Sequence, residues 1–110
     1  MKLTELEPTF LQATNPKTHN LTNDFSLADG IMFLCPKCFV KNNGPAGTHV
    51  IICWRPKVSQ DYSPRPGRWD INGTGYSDLT LVSNPSSSVL LNGGCKAHFH
   101  LTNGEIIMCE

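Results

Sequence analysis

Two short stretches, Cys35-Pro36-Lys37-Cys38 and Cys95-Lys96-Ala97-His98, decide how this chain is held together. In each, two nitrogen or sulfur donors stand three residues apart, so one tight turn aims both at a single ion. Two such turns supply four donors, the complement of a closed tetrahedral zinc site. Most of the chain separates the pairs, so a shared ion would clip the two ends of the fold together. The expected ligands are Cys35, Cys38, Cys95 and His98. His100 is the alternative fourth ligand, because on a strand it shares a face with His98. Pro36 pre-sets the first turn, and Gly93-Gly94 give the backbone freedom to curl around the second.

Two plainer readings compete. Cysteine is among the most buried residue types, so any of these thiols could simply be core. Cys35 and Cys38 could also form a redox dithiol, but that chemistry is usual at a helix start in a βαβ unit, a context this sequence lacks. Cys53 lies in an apolar run and reads as core. Cys109, near the end, has no partner at ligand spacing.

The chain has 110 residues with a formal net charge of zero, enough for one domain. A neutral chain lacks the excess of Lys and Arg on which general nucleic-acid or membrane binding rests. No stretch approaches the ~18 apolar residues of a membrane span, and Met1–Pro8 lacks the apolar core of a signal peptide. Five cysteines without an export signal point to reduced thiols and a cytoplasmic setting.

Outward from the cysteines the pattern is β. Candidate strands are 31–34, 48–54, 67–72, 79–83, 88–91, 97–101 and 105–109. Asn103-Gly104 marks a hairpin between the last two. Asp24 to Gly30 reads as one helical turn. No segment sustains a 3.6-residue apolar period. The expected fold is mainly β: a small antiparallel β domain clipped by a Cys3His zinc site, with short helical turns. Residues 1–23 are expected to lie as an extended arm packed on the body, and 24–110 to form the single zinc-clipped domain.

All three arginines, Arg55, Arg65 and Arg68, fall between Trp54 and Trp69, together with Tyr62. Guanidinium forks bind phosphate or carboxylate bidentately, and aromatic rings stack on flat ligands. Prolines restrict this loop, which lowers the entropy lost on binding. These six residues are the candidate binding surface for a small anionic ligand or a protein. The plain alternative has the tryptophans in the core and the arginines in water. The hydroxyl-rich run 83–88 could offer donors to an anion, but such runs are usually loops. Catalytic patterns are sparse: the His-x-Glu pair of zinc deaminases and the His-Glu-x-x-His helix are both missing.

The order Phe33-Leu34-Cys35-Pro36-x-Cys38, Gly67-Arg68-Trp69-x-x-x-Gly73, Leu79-Thr80-Leu81, and Gly94-Cys95-x-x-His98-Phe99-x-Leu101-x-x-Gly104-Glu105-Ile106 resembles a small zinc-binding domain family of unknown function. That family occurs in phage and prophage genomes and in bacterial operons for ubiquitin-like conjugation. The resemblance covers residues 31–107 and implies Cys35, Cys38, Cys95 and His98 as metal ligands, with no established activity. The Pro-rich insert between Trp54 and Trp69 is longer than in many members. The expectation is therefore a non-enzymatic phage accessory protein in the host cytosol. Its zinc-stabilised scaffold would bind a host protein or small anionic ligand, with counter-defence as one use. A small zinc-dependent hydrolase and a virion structural or assembly component are the alternatives.

Overall fold

The computed structural model describes residues 1–16, 18–91 and 94–109. Within them the strands are β1 (Thr9–Asn15), β2 (Thr18–Thr22), β3 (Gly30–Leu34), β4 (Val50–Trp54), β5 (Asp70–Asn72), β6 (Thr80–Val82), β7 (Val89–Leu90), β8 (His98–Thr102) and β9 (Glu105–Met108). One helix, α1 (Pro36–Asn42), joins β3 to β4. Single 3-10 turns occupy Leu3–Leu6, Phe25–Leu27 and Tyr76–Asp78. The strands form three antiparallel sheets, ordered β2-β1-β3-β4, β5-β6 and β7-β8-β9. The mainly β, antiparallel expectation holds, and the Asp24 turn starts as expected, with the carboxylate accepting from the Ser26 N–H at 2.9 Å.

The amino-terminal residues do more than lie against the body. β1 is an inner strand of the four-stranded sheet, between β2 and β3. Leu3, Leu6, Phe10 and Leu11 are fully buried. The polar Thr/Asn composition hid this, because β2 is an exposed edge strand whose side chains face water.

Both faces of the larger sheet are covered. On one face Phe10, Ile31, Phe33, Ile51 and Cys53 join Leu81, Phe99 and Leu101 in the main core, with Phe33 and Phe99 edge to face. On the other face Leu11 and Trp54 meet Val58, with Met32, Ile52 and Tyr62 packed around them. Val58 and Tyr62 come from the loop after β4, so that loop is the lid of a second, smaller core. Gly30 is required beneath it: a Cβ there would stand 2.5 Å from the Trp54 ring.

Helix α1 lacked a periodic signature because its seven residues span only about two turns. Its local signals are nonetheless sound. Pro36 sits at the first helical position, where its missing N–H costs nothing. Asn43 ends the helix in the left-handed conformation, at φ 55°, and Gly44 donates back to the Phe39 carbonyl at 3.0 Å. The Asn103-Gly104 turn forms as expected, with φ 48° and 75°, and the Gly104 N–H and carbonyl are anchored on Leu79 and Leu3 at 2.8 Å each.

Candidate metal centre and the adjoining groove

Cys35, Cys38, His49 and Cys95 converge, their donor atoms all within 4.8 Å of one another. The chemistry of this set fits a metal ion: three thiols and one imidazole, with no carboxylate joining them among the described residues. Three elements position it. Cys35 caps α1 at the end of β3, and Cys38 lies in the first turn of that helix. His49 immediately precedes β4. Cys95 stands in the turn before β8, where Lys96 adopts φ 54°. The Lys37 ammonium donates to the Cys95 carbonyl at 2.7 Å, tying this turn to the helix.

His49 therefore takes the place expected of His98. The Cys35 N–H donates to the His49 carbonyl at 2.9 Å, continuing the β3–β4 ladder by one rung beyond Leu34–Val50. Strand pairing, not short-range spacing, brings the imidazole to the thiols. His98 is committed elsewhere: it has already entered β8 opposite Leu90, and its carbonyl accepts from the Cys109 N–H at 2.8 Å. His100 lies two residues further along, opposite Ile107. Neither histidine belongs to the cluster. Gly93, expected to help curl the second turn, lies outside the described residues.

The cluster is electrostatically asymmetric. Burial pushes the Cys35 thiol up to about 12, although its sulfur also accepts the backbone N–H groups of Cys38 and Lys37. At Cys95 burial also opposes ionisation, but contacts from His49, the Ala97 N–H and the other two thiols outweigh it and bring the group to about 6. Of Cys35 and Cys95, the latter is the sulfur readier to carry the negative charge a metal ion requires. Cys53 is fully buried in the core and pushed up to about 12 by that burial. Cys109 is half-buried and outside the cluster.

The arginine–aromatic loop is arranged differently from a ligand-binding fork. All of the Arg68 nitrogens donate to carbonyls of its own loop: Val58 at 3.0 Å, Pro64 and Gly67 at 2.8 Å, Ser59 at 2.7 Å and Tyr62 at 3.0 Å. Arg55 donates to the Ala28 and Ile71 carbonyls at 2.8 and 2.9 Å and stacks over Phe25. Trp54 is buried, with its indole N–H on the Ser63 carbonyl, and its ring lies 5.7 Å from that of Tyr62. Four of the six candidate ligand-binding residues are therefore internal to the fold. A planar guanidinium with five donors suits clustered backbone carbonyls as well as it suits an anion. Arg65 is exposed, with one bond to the Gln60 carbonyl at 3.1 Å.

Arg65, Arg68 and Trp69 nevertheless line a groove of about 700 Å³. Its other walls are residues 49–52 and 88–91, with Ser83 and Ser86 at one side. The serine run is folded on itself, the Ser87 hydroxyl donating to the Ser83 carbonyl, and the Trp69 indole N–H donates to the Ser87 carbonyl at 3.2 Å. His49 both joins the metal cluster and lines the groove. No helix among the described residues is long and apolar enough to cross a membrane.

No family model, no curated protein and no solved structure matches this chain.

Proposed function

We propose that this protein is a non-enzymatic binding module, a β scaffold clipped by zinc that presents the groove beside its metal centre to a partner. The observation that carries the reading is the donor spacing. A tetrahedral ion with sulfur at ~2.3 Å and imidazole nitrogen at ~2.0–2.1 Å sets sulfur–sulfur edges of about 3.8 Å and sulfur–nitrogen edges of about 3.5–3.6 Å. The Cys35–Cys95 sulfurs are 3.6 Å apart, and Cys95 Sγ lies 3.5 Å from His49 Nε2. A soft Cys3His set favours zinc among the common divalent ions. Four protein donors fill a tetrahedral sphere, the pattern of structural rather than catalytic zinc. The motif resemblance to phage-borne domains makes a host protein the partner of first choice, with interference in a host defence as one use.

Cobalt substitution tests this reading. A closed four-ligand centre gives a tetrahedral Co(II) spectrum with sulfur-to-metal charge transfer, unchanged by added azide or cyanide. An anion-dependent spectrum would reveal an open position, overturn the structural assignment and favour the hydrolase alternative.

A further inference from the structure

The groove beside the metal centre has the form of a vacant strand position. Residues that line a groove through one face of a strand alternate in sequence, because successive side chains point to opposite sides. Here the lining is consecutive on both walls, 49–52 from the β4 side and 88–91 from the β7 side. Both strands therefore meet the groove edge-on. Each is also the last strand of its sheet, β4 in the order β2-β1-β3-β4 and β7 in β7-β8-β9.

The hydrogen-bond phase of each edge follows from the rungs at its ends. The Cys35 N–H donates to the His49 carbonyl and the Arg55 N–H to the Asp29 carbonyl. In this antiparallel register the odd-numbered residues of β4 face β3, so the N–H and C=O groups of Val50 and Ile52 point away from it. On the other wall the Leu91 N–H donates to the Ala97 carbonyl, which places the backbone groups of Leu90 on the side away from β8. The outer edge of β4 already accepts a backbone donor at one rung: the Trp69 N–H donates to the Trp54 carbonyl at 2.9 Å. The rungs at Ile52 and Val50 continue that line. Natural sheets usually blunt such edges with charge or proline, yet Val50 is 51% and Leu90 56% exposed.

Charge narrows the occupant. The ion pairs among the described residues are Met1 with Glu105 and Lys57 with Asp29, so neither Arg65 nor Arg68 is in an ion pair. Arg68 titrates below its usual range, through burial and the neighbouring Arg65 charge. Arg68 is satisfied by its own loop carbonyls, so Arg65 is the cation left on the rim of a groove lined by Val50, Ile52, Val89 and Leu90 together with His49 and several serines.

We propose that the groove binds an extended peptide segment of a partner protein by strand addition to β4, with apolar side chains on the groove wall and an acidic residue at Arg65. This rests on the binding-module reading and names its partner class: a linear segment recognised through its backbone.

The probe is a displayed library of random octapeptides, selected against the metal-loaded protein. Selected sequences should carry alternating apolar residues and at least one Asp or Glu. On binding, the amides of Val50 and Ile52 should become protected from exchange. N-methylation at alternate positions of a selected peptide should weaken binding about tenfold or more, while methylation at the intervening positions leaves it nearly unchanged. That arm alters only the peptide, so the fold of the protein is untouched. Ile52→Pro should abolish binding with metal content intact, since its N–H makes no bond to β3. Arg65→Glu should reverse the preference to basic peptides. No selected binder, uniform sensitivity to N-methylation, or unprotected Val50 and Ile52 amides would overturn the proposal. So would concentration-dependent protection without peptide, which would make a second copy of the chain the occupant. None of these results alters the cobalt spectrum, so failure here is distinct from failure of the zinc-scaffold reading.

Discussion

Cys35 and His49 face each other across the terminal rung of the β3–β4 ladder, the Cys35 N–H bonded to the His49 carbonyl at 2.9 Å. The same rung that ends the sheet delivers a thiol and an imidazole to one point. The candidate metal site is therefore an extension of sheet register, and a register slip would turn either side chain to the opposite face.

The ligand set follows. His49→Ala should lower zinc affinity by more than about 100-fold, beyond the loss expected for an outer contact. His98→Ala and His100→Ala should retain one metal per chain. Cys38→Ser should lose metal and folded population together, because binding free energy at such a site is folding free energy. Cys53→Ala should keep its metal while losing about 1–2 kcal/mol of stability from the packed core. Metal analysis after gel filtration, with circular dichroism on the same samples, checks all five.

Arg68 should behave as a structural residue. Arg68→Lys retains the charge but cannot reach carbonyls spread from Val58 to Gly67, so it should destabilise nearly as much as Arg68→Ala. A cost of about 1–3 kcal/mol is expected from carbonyls left without donors. The exposed Arg65→Lys should stay within about 0.5 kcal/mol. Denaturant midpoints and the rate of proteolytic nicking within residues 55–68 separate the two arginines.

At the β8–β9 turn, Gly104 stands at φ 75° and an added Cβ would collide with the Ser77 carbonyl. Backbone on the opposing side cannot swing away as a flexible side chain would. Gly104→Ala should therefore cost about 2–4 kcal/mol, from conformational strain and collision together. Asn103→Gly, at a left-handed position that glycine also adopts, should cost less than about 1 kcal/mol. Thermal unfolding of the metal-loaded proteins measures the difference.

Acid should act in part through Asp29. Burial works against its ionisation, but Lys57, the Ala13 N–H and the charge of Arg55 outweigh it and hold the carboxyl below its usual value. The Lys57 ammonium lies 2.8 Å from one oxygen, and the Ala13 N–H lies 2.8 Å from the other. A depressed folded value means the contribution is complete above the unfolded value of about 3.9 and is lost as pH falls through the folded one. The stability gap between wild type and Asp29→Asn should thus be full above about pH 5 and close on further acidification. Taking the difference between the two proteins cancels the acid sensitivity of the thiol cluster. A gap independent of pH would remove Asp29 from the account.

The β class and the three cysteines of the cluster were legible because short apolar runs, Asn-Gly and donors spaced three residues apart are local signals. His49 was not, since only the pairing of β3 with β4 brings it to Cys35. The register itself was within reach: aligning the apolar runs 31–34 and 48–54 antiparallel sets Cys35 near His49. The inward role of Arg68 was illegible for a related reason. A guanidinium that satisfies five carbonyls and one that awaits an anion look the same in sequence. Only the inward turn of Val58 and Tyr62 onto Trp54 shows which of the two it is. β2 was missed because an exposed edge strand carries polar residues, and β1 because Phe10 and Leu11 are its only large apolar side chains.

The loop between Trp54 and Trp69 leaves and re-enters the fold at one point, the Trp69 N–H resting on the Trp54 carbonyl. Chain that departs and returns at adjacent positions, packed by its own side chains, is an Ω-loop. Its outside ties are few and sit near its start: Arg55 on the Ala28 and Ile71 carbonyls and Lys57 on Asp29. What constrains its replacement is a roofing requirement: any substitute must still cover the Trp54 ring and the outer face of the sheet. A redesigned insert of different length and sequence should be accepted if it keeps the anchors at Ala28, Ile71 and Asp29 and supplies its own shelter for that tryptophan.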